Sequence, residues 1–199
     1  MKKTALFVSI IILLSIFACS EAPELIKPPP PGGQTTSRIV LAEMFTETGW
    51  LSCEHAAHAL DSLWDDEYQT KLARVTFYAG AGPGDSIGAP EGRDRRTYYG
   101  VRTSPANVMF DGQIKVEEGT DPKTKYREVI EARRPDSTRI KLSIESADTN
   151  GGNINITLRT IATDTVTANT VRLFVIIIQD SMPYGLVGPL CFVARKVIP

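Results

Sequence analysis

Hydrophobic and polar positions are arranged in two different ways along the chain, and the change falls near residue 136. Before it, short apolar runs such as residues 39–45 alternate with segments whose apolar positions recur at helical spacing. A continuous apolar run of this length is typical of a strand that is buried on both faces of a sheet. Residues 37–135 therefore predict an α/β domain.

Three strands and three helices are predicted within this domain. The strands are residues 39–45, 72–78 and 103–111, and the helices are residues 54–64, 93–99 and 121–134. Ser52 is a candidate N-cap for the first helix, and Asp121 followed by Pro122 is a typical start for the last, since each side chain suits the unpaired amides of a first turn.

After Pro135 the apolar positions recur at every second residue, which is the period of a strand. Residues 139–145 and 154–159 alternate apolar and polar side chains, and Asn150-Gly151 between them favours a tight hairpin turn. Residues 171–178 are apolar on both faces and need cover on both sides. We therefore predict a small antiparallel β-rich domain over residues 136–199, which packs on the first domain, is completed by a second chain, or belongs to a sequence that stops short.

The N-terminus of the chain carries a targeting pattern. Two lysines precede an apolar run over residues 5–18, which is too short for the roughly 20 residues that span a bilayer. The run ends in Ile16-Phe17-Ala18-Cys19, which resembles a bacterial lipobox. We predict a lipoprotein signal peptide over residues 1–18 and a lipid on Cys19, the alternatives being a plain signal peptide or a membrane anchor.

Residues 19–36 follow as a tether. Four consecutive prolines and two glycines within it disfavour helix and sheet and favour a semi-rigid extended linker. Ser20 after the lipid-bearing cysteine resembles the signal for outer-membrane delivery. The expected location is the cell envelope, as an outer-membrane lipoprotein that faces the periplasm or the cell surface and contacts the membrane through Cys19.

Composition excludes several functions. With 22 basic and 23 acidic side chains the net charge is −1, so no overall basic field favours nucleic acid. Two histidines, His55 and His58, share a helix face but do not converge with Cys53, and we predict no metal site and no cofactor. The cluster of Arg93, Arg95, Arg96 and Arg102 is predicted to be a salt-bridged surface.

Two segments carry a resemblance to a known family. Residues 98–112, Tyr-Tyr-Gly-Val-Arg-Thr-Ser-Pro-Ala-Asn-Val-Met-Phe-Asp-Gly, resemble the part of thioredoxins that leads through a cis-proline into an apolar strand. Residues 43–53 resemble the active-site passage of the Omp28-related bacterial thioredoxin-like outer-membrane lipoproteins. The resemblance implies a thioredoxin-like domain followed by a β-rich region.

The departure from this family lies in its C-x-x-C motif. Trp50 stands where the first cysteine belongs, and Cys53 occupies the second position. Dithiol exchange needs an attacking thiolate and a second thiol that resolves the mixed disulfide, and an indole supplies neither. Cys53 is therefore the one candidate for a catalytic residue that this motif retains.

Two functions stay open at the level of sequence. In the first, the chain is a binding or structural module without enzyme activity, which presents the edge around Trp50, Ser104 and Pro105 to a peptide or protein partner. In the second, it is a thiol-disulfide oxidoreductase that uses Cys53 alone or with Cys191. A disulfide between Cys53 and Cys191 is the structural alternative, and two buried thiols are the simplest one.

Overall fold

The computed structural model describes residues 36–48, 51–79, 87–88, 90–103, 106–117, 119–166, 171–183 and 189–198. The predicted signal peptide, Cys19 and almost all of the tether lie outside the described residues. So do Trp50, Ser104 and Pro105 of the predicted binding edge.

A six-stranded mixed sheet forms the centre of the molecule, with strand order β4-β3-β1-β2-β10-β7. Its strands are β1 (Val40–Thr46), β2 (Leu72–Tyr78), β3 (Asn107–Phe110), β4 (Ile114–Glu117), β7 (Val175–Gln179) and β10 (Val193–Ile198). β1 is parallel to β2 and antiparallel to β3. β4 is antiparallel to β3, and β10 is parallel to β2 and antiparallel to β7. The predicted α/β class is confirmed.

The remaining described strands form two smaller sheets. β5 (Ile140–Asn150) and β6 (Asn153–Ala162) form an antiparallel hairpin, and β8 (Met182–Pro183) pairs with β9 (Pro189–Leu190). The hairpin was predicted with its turn at Asn150-Gly151. The structure places the turn one residue later, at Gly151 and Gly152, whose φ angles of 57° and 82° lie in the region that glycine adopts without strain.

In the described part of the chain, three helices cover the sheet: α1 (Leu51–Leu63), which continues into a π-helical turn (Trp64–Tyr68), α2 (Pro90–Tyr99) and α3 (Pro122–Arg133). The start of α3 is as predicted, because the Asp121 carboxylate accepts a hydrogen bond from the backbone N–H of Thr124 at 3.1 Å. The predicted N-cap at Ser52 is wrong, since α1 begins at Leu51 and includes Ser52.

Side chains on the two faces of β1 point into two different cores. Val40, Ala42 and Met44 pack with α1 and α3 on one face, and Phe45 packs with Phe77 on the face that α2 covers. Nearly every residue of β1 is buried, as its continuous apolar run predicts for a central strand. The sheet therefore lies between two layers of helix.

The central sheet contains strands from both sides of residue 136, where the change of period predicts a domain boundary. β10 pairs with β2, and β7 pairs with β10, so that both strands extend the sheet of the preceding domain. The physical reason is that β2 has a free edge, and periodicity along a strand does not encode which edge it pairs with. The β5–β6 hairpin forms a sheet of its own.

Candidate functional site

Cys53 lies in the first turn of α1, which follows the carboxyl end of β1. Its residue surface is 4% exposed, and its Sγ donates a hydrogen bond to the backbone carbonyl of Thr103 at 3.5 Å. The thiol is therefore turned inward, away from solvent. A thiol that is buried and bound to a neutral carbonyl lacks the access that sulfur exchange requires.

Thr103 connects this thiol to the neighbouring loop. Its hydroxyl donates to the Glu47 carboxylate just beyond β1, and the Asn107 amide donates to the carbonyl of Arg102 at 3.1 Å. Thr103 and Ala106, which flank the undescribed Ser104 and Pro105, are both buried. Of the predicted site, the structure thus brings Cys53 together with the residue that precedes Ser104-Pro105.

Cys53 and Cys191 are free thiols, and both line one cavity of about 110 Å³. The cavity lies beside α1, under the segment that leads into β10, and His58, Asp61 and Arg74 also line it. Burial raises the pKa of the Cys191 thiol, and the carboxylates of Asp61 and Asp180 raise it further. Cys191 is therefore protonated at neutral pH and is a poor nucleophile.

Arg74 is a feature of this cavity that sequence reasoning missed. Its side chain is 2% exposed, pairs with the Asp61 carboxylate, and lies over the ring of Phe192 at 4.5 Å from the centroid. The available signal was a single charge in an apolar strand. In a strand that is buried on both faces, such a charge needs a partner nearby.

A second polar cluster lies on the opposite face of the sheet, beneath α2. Glu43, with no exposed surface, accepts hydrogen bonds from Arg95 and from the hydroxyl of Tyr99, the latter at 2.7 Å. Burial raises the pKa of Tyr99, and the Glu43 carboxylate raises it further. The predicted salt-bridged surface is therefore wrong for Arg95, because its partner is a carboxylate inside the protein.

Neither metal binding nor membrane crossing finds support in the described residues. Within the ranges given above, no group of three or more His, Cys, Asp or Glu side chains is arranged to hold a metal ion. None of the helices in the described part of the chain is long and apolar enough to cross a membrane.

Comparison with known proteins gives one distant similarity. No family model matches the chain, and no curated protein matches it. A structural-genomics crystal structure of a protein from Agrobacterium tumefaciens is similar over 65% of this chain and 75% of that one, with 14% sequence identity and a TM-score of 0.43. The functional proposal therefore rests on the residues of this chain.

Proposed function

We propose that this chain is a thioredoxin-like lipoprotein of the bacterial cell envelope whose degenerate Cys53 site binds a peptide or protein partner and does not carry out dithiol exchange. The observation that carries the proposal is the inward-facing thiol of Cys53, which donates to Thr103 from the first turn of α1. The same contact holds the loop that precedes Ser104-Pro105 against the start of α1.

The strand arrangement supports the thioredoxin-like part of this proposal. A parallel β1-α1-β2 unit is followed by α2, the antiparallel β3–β4 hairpin and α3, with the order β4-β3-β1-β2 in the sheet. Apart from β4, that succession of strands and helices is the one that the resemblance of residues 43–53 and 98–112 implies. β10 and β7 are additions at the edge of β2.

Loss of dithiol chemistry is supported by the surroundings of Cys53. An attacking thiol needs exposure, and a resolving thiol must lie about one helical turn away. Cys53 lacks the first, and α1 contains no other cysteine. The proposed docking segment is the pair Ser104-Pro105 that follows the buried Thr103, where an extended peptide would add main-chain hydrogen bonds.

Thiol reactivity tests the chemical half of the proposal. Native protein from Ser20 onward is exposed to iodoacetamide, and the labelled cysteines are followed by mass spectrometry, with denatured protein as the reference. Cys53 is expected to react more slowly than the half-buried Cys191, which is the internal control. Rapid alkylation of Cys53, or turnover of oxidised glutathione that Cys53→Ser abolishes, would contradict the proposal.

Site-specific cross-linking tests the binding half. A photo-reactive amino acid replaces Trp50 in the full chain in bacterial cells, and the exposed Lys125 on α3 carries it in the control. Adducts are expected at position 50, absent at position 125, and lost when Pro105→Ala is added. Equal adducts at both positions would remove the binding edge from the proposal.

The envelope location has its own test. Incorporation of labelled fatty acid into the full chain is expected, and Cys19→Ser should abolish it. Incorporation that Cys19→Ser does not change would contradict lipidation at this residue.

A thiol-disulfide function is the second candidate, and the shared cavity of Cys53 and Cys191 favours it. In the step, both thiols lose a proton and together two electrons to a small disulfide such as oxidised glutathione, which leaves as two thiols while one S–S bond forms in the protein. A loss of two hydrogens by mass, absent in both Cys53→Ser and Cys191→Ser, would support it. Two unmodified thiols after prolonged oxidation would remove it.

A further inference from the structure

The β5–β6 hairpin is a long two-stranded ribbon that pairs with itself from Ile140–Ala162 at its base to Asn150–Asn153 at its tip. Among the described residues, no other helix or strand packs extensively against it. A two-stranded hairpin without such packing is marginally stable at best in water. A ribbon of 11 and 10 residues therefore needs a surface to cover it.

One face of the ribbon is apolar except for two threonines, Thr149 and Thr160. The cross-strand register places the following residues on this face: Ile140, Leu142, Ile144, Ala147 and Thr149 from β5, and Ile154, Ile156, Leu158, Thr160 and Ala162 from β6. A bulge at Glu145 keeps the face continuous, because without the extra residue Ala147 would point to the opposite side.

The other face is polar. An ion pair joins Arg159 to Glu145, and the Asn155 amide donates to Asp148 at 2.9 Å, with Ile161 as the exception on that side. On the apolar face no residue is charged, yet Leu142, Ile144 and Ile154 are 57%, 68% and 54% exposed. Exposed aliphatic side chains in one continuous patch are typical of an interaction surface.

Large and small side chains divide the apolar face diagonally. In the base half, Ile140 and Leu142 of β5 lie opposite Ala162 and Thr160 of β6. In the tip half the arrangement is reversed, because Ala147 and Thr149 of β5 lie opposite Ile156 and Ile154. Ile144 and Leu158 meet at the centre.

This diagonal makes the face complementary to itself. When a second ribbon is turned over about a two-fold axis in the plane of the face, along the strands or across them, its large side chains come to lie over the small ones of the first. We propose that the occupant of the apolar face is the same face of a second copy of this chain, in an isologous dimer. Two ribbons stacked in this way form a four-stranded sandwich with a dry centre at Ile144 and Leu158.

The size of the face agrees with a dimer of this kind. Ten residues along each strand at about 3.3 Å and two strands about 4.8 Å apart give a footprint of roughly 300 Å² per copy, which is a minimum for the surface covered because side chains stand out from the sheet. Two copies therefore bury at least about 600 Å² together, within the range of weak and transient interfaces. The proposed dimer is therefore reversible and depends on concentration.

Sedimentation equilibrium tests the proposal on the chain from Ser20 onward, since every described helix and strand lies after residue 35. Wild-type protein is expected to dimerise. Ile156→Lys, which places a charge in the interface from both copies, should weaken the dimer at least about tenfold. The neighbouring Thr157→Lys, exposed on the polar face, should leave it unchanged. Equal far-UV circular dichroism of the three proteins shows that the variants fold.

A third variant separates shape complementarity from general stickiness. Thr160→Ile makes the face more apolar but fills a position over which a large side chain of the partner lies, so the dimer should weaken. A stronger dimer would overturn the proposed packing. The proposal is also overturned by a wild-type monomer at all soluble concentrations, by a dimer that Ile156→Lys does not affect, and by a monomer that binds vesicles of phosphatidylethanolamine and phosphatidylglycerol through this face.

Discussion

Arg95 of α2 forms an ion pair with Glu43 of β1, whose carboxylate has no exposed surface. Tyr99, one helical turn after Arg95, donates to the same carboxylate at 2.7 Å and receives a hydrogen bond from Arg95 at 3.0 Å. The three side chains fix α2 on the face of the sheet opposite α1. This contact is the polar counterpart of the apolar packing between Phe45 and Phe77, whose stacked rings lie 5.2 Å apart.

Replacing Arg95 by methionine should destabilise the protein by about 3 to 5 kcal/mol, because it leaves the Glu43 carboxylate buried without a positive charge beside it. Urea unfolding measures the loss. Arg93→Met, at an exposed position of the same helix, is the matched control and should change the free energy of unfolding by less than about 0.5 kcal/mol. Adding Glu43→Gln to Arg95→Met should restore part of the stability. No gain in the double variant would contradict a buried-charge origin.

The contacts that Asp111, at the end of β3, makes with β1 and α3 are expected to weaken in acid. Burial raises the pKa of this carboxyl, but hydrogen bonds from the Leu41 N–H, Arg133 and Arg38 outweigh burial, and the net pKa is below its ordinary value. The ion pairs with Arg38 and Arg133 measure 2.8 Å and 2.9 Å.

A lowered pKa in the folded state fixes the sign of the pH dependence. The stabilisation by Asp111 is complete above the ordinary pKa of about 3.9 and is lost as pH falls through the lower folded pKa. Asp111→Asn should cost about 1 to 3 kcal/mol at neutral pH and should reduce the fall in stability between about pH 5 and pH 2. Thermal unfolding across this range measures both, with the exposed Asp65→Asn as control. Parallel pH curves for wild type and Asp111→Asn would contradict the assignment.

Gly88 lies where the chain passes close to the backbone of β2. A Cβ at this position would stand 2.1 Å from the carbonyl oxygen of Tyr78. Gly88→Ala must therefore displace backbone and should destabilise by about 1 to 3 kcal/mol in urea unfolding. Gly119→Ala, where a Cβ meets nothing within 4 Å, should be close to neutral. A similar loss from both variants would contradict close approach to the Tyr78 carbonyl as the cause of the effect.

The phenol of Tyr68 should lose its proton only at high pH. Burial raises the pKa of its phenol to about 12, and the Glu131 carboxylate, to which its hydroxyl donates at 2.5 Å, contributes to this rise. Because the folded pKa is raised, the stabilisation is present below the unfolded value of about 10 and is lost as pH rises through 12. The late tyrosinate absorbance, to which Tyr99 also contributes, should decrease in Tyr68→Phe. Absorbance near pH 10 that Tyr68→Phe removes would contradict the raised value.

Local patterns predicted the elements well. The strand over residues 72–78 coincides with β2, and the Asp121-Pro122 start of α3 is confirmed, because capping depends on residues within one turn. β4, β8, β9 and β10 were not predicted. β4 is a short strand with alternate side chains only partly buried, and its pairing with β3 depends on the Asp111-Gly112 turn, where both φ angles are positive.

Only the part of the site that depends on local order along the chain was predicted. Cys53 at the start of a helix, next to the loop that contains Thr103, follows from the order of elements along the chain. That Cys191 and Arg74 line the same cavity as Cys53 depends on β10 pairing with β2 across more than a hundred residues. A pairing of that range leaves no local signal, since any strand with a free edge is an acceptable partner.

The sequence by itself determined the alternation of helices and strands, the central position of β1, and the amphipathic faces of the β5–β6 hairpin, because each depends on side-chain spacing within a few residues. Only the tertiary structure decided that β7 and β10 extend the sheet, that Arg95 neutralises Glu43, and that the thiol of Cys53 faces the Thr103 carbonyl. These contacts join segments distant in sequence, and their free energies come from burial and from pairing of charges, which exist only after the chain has folded.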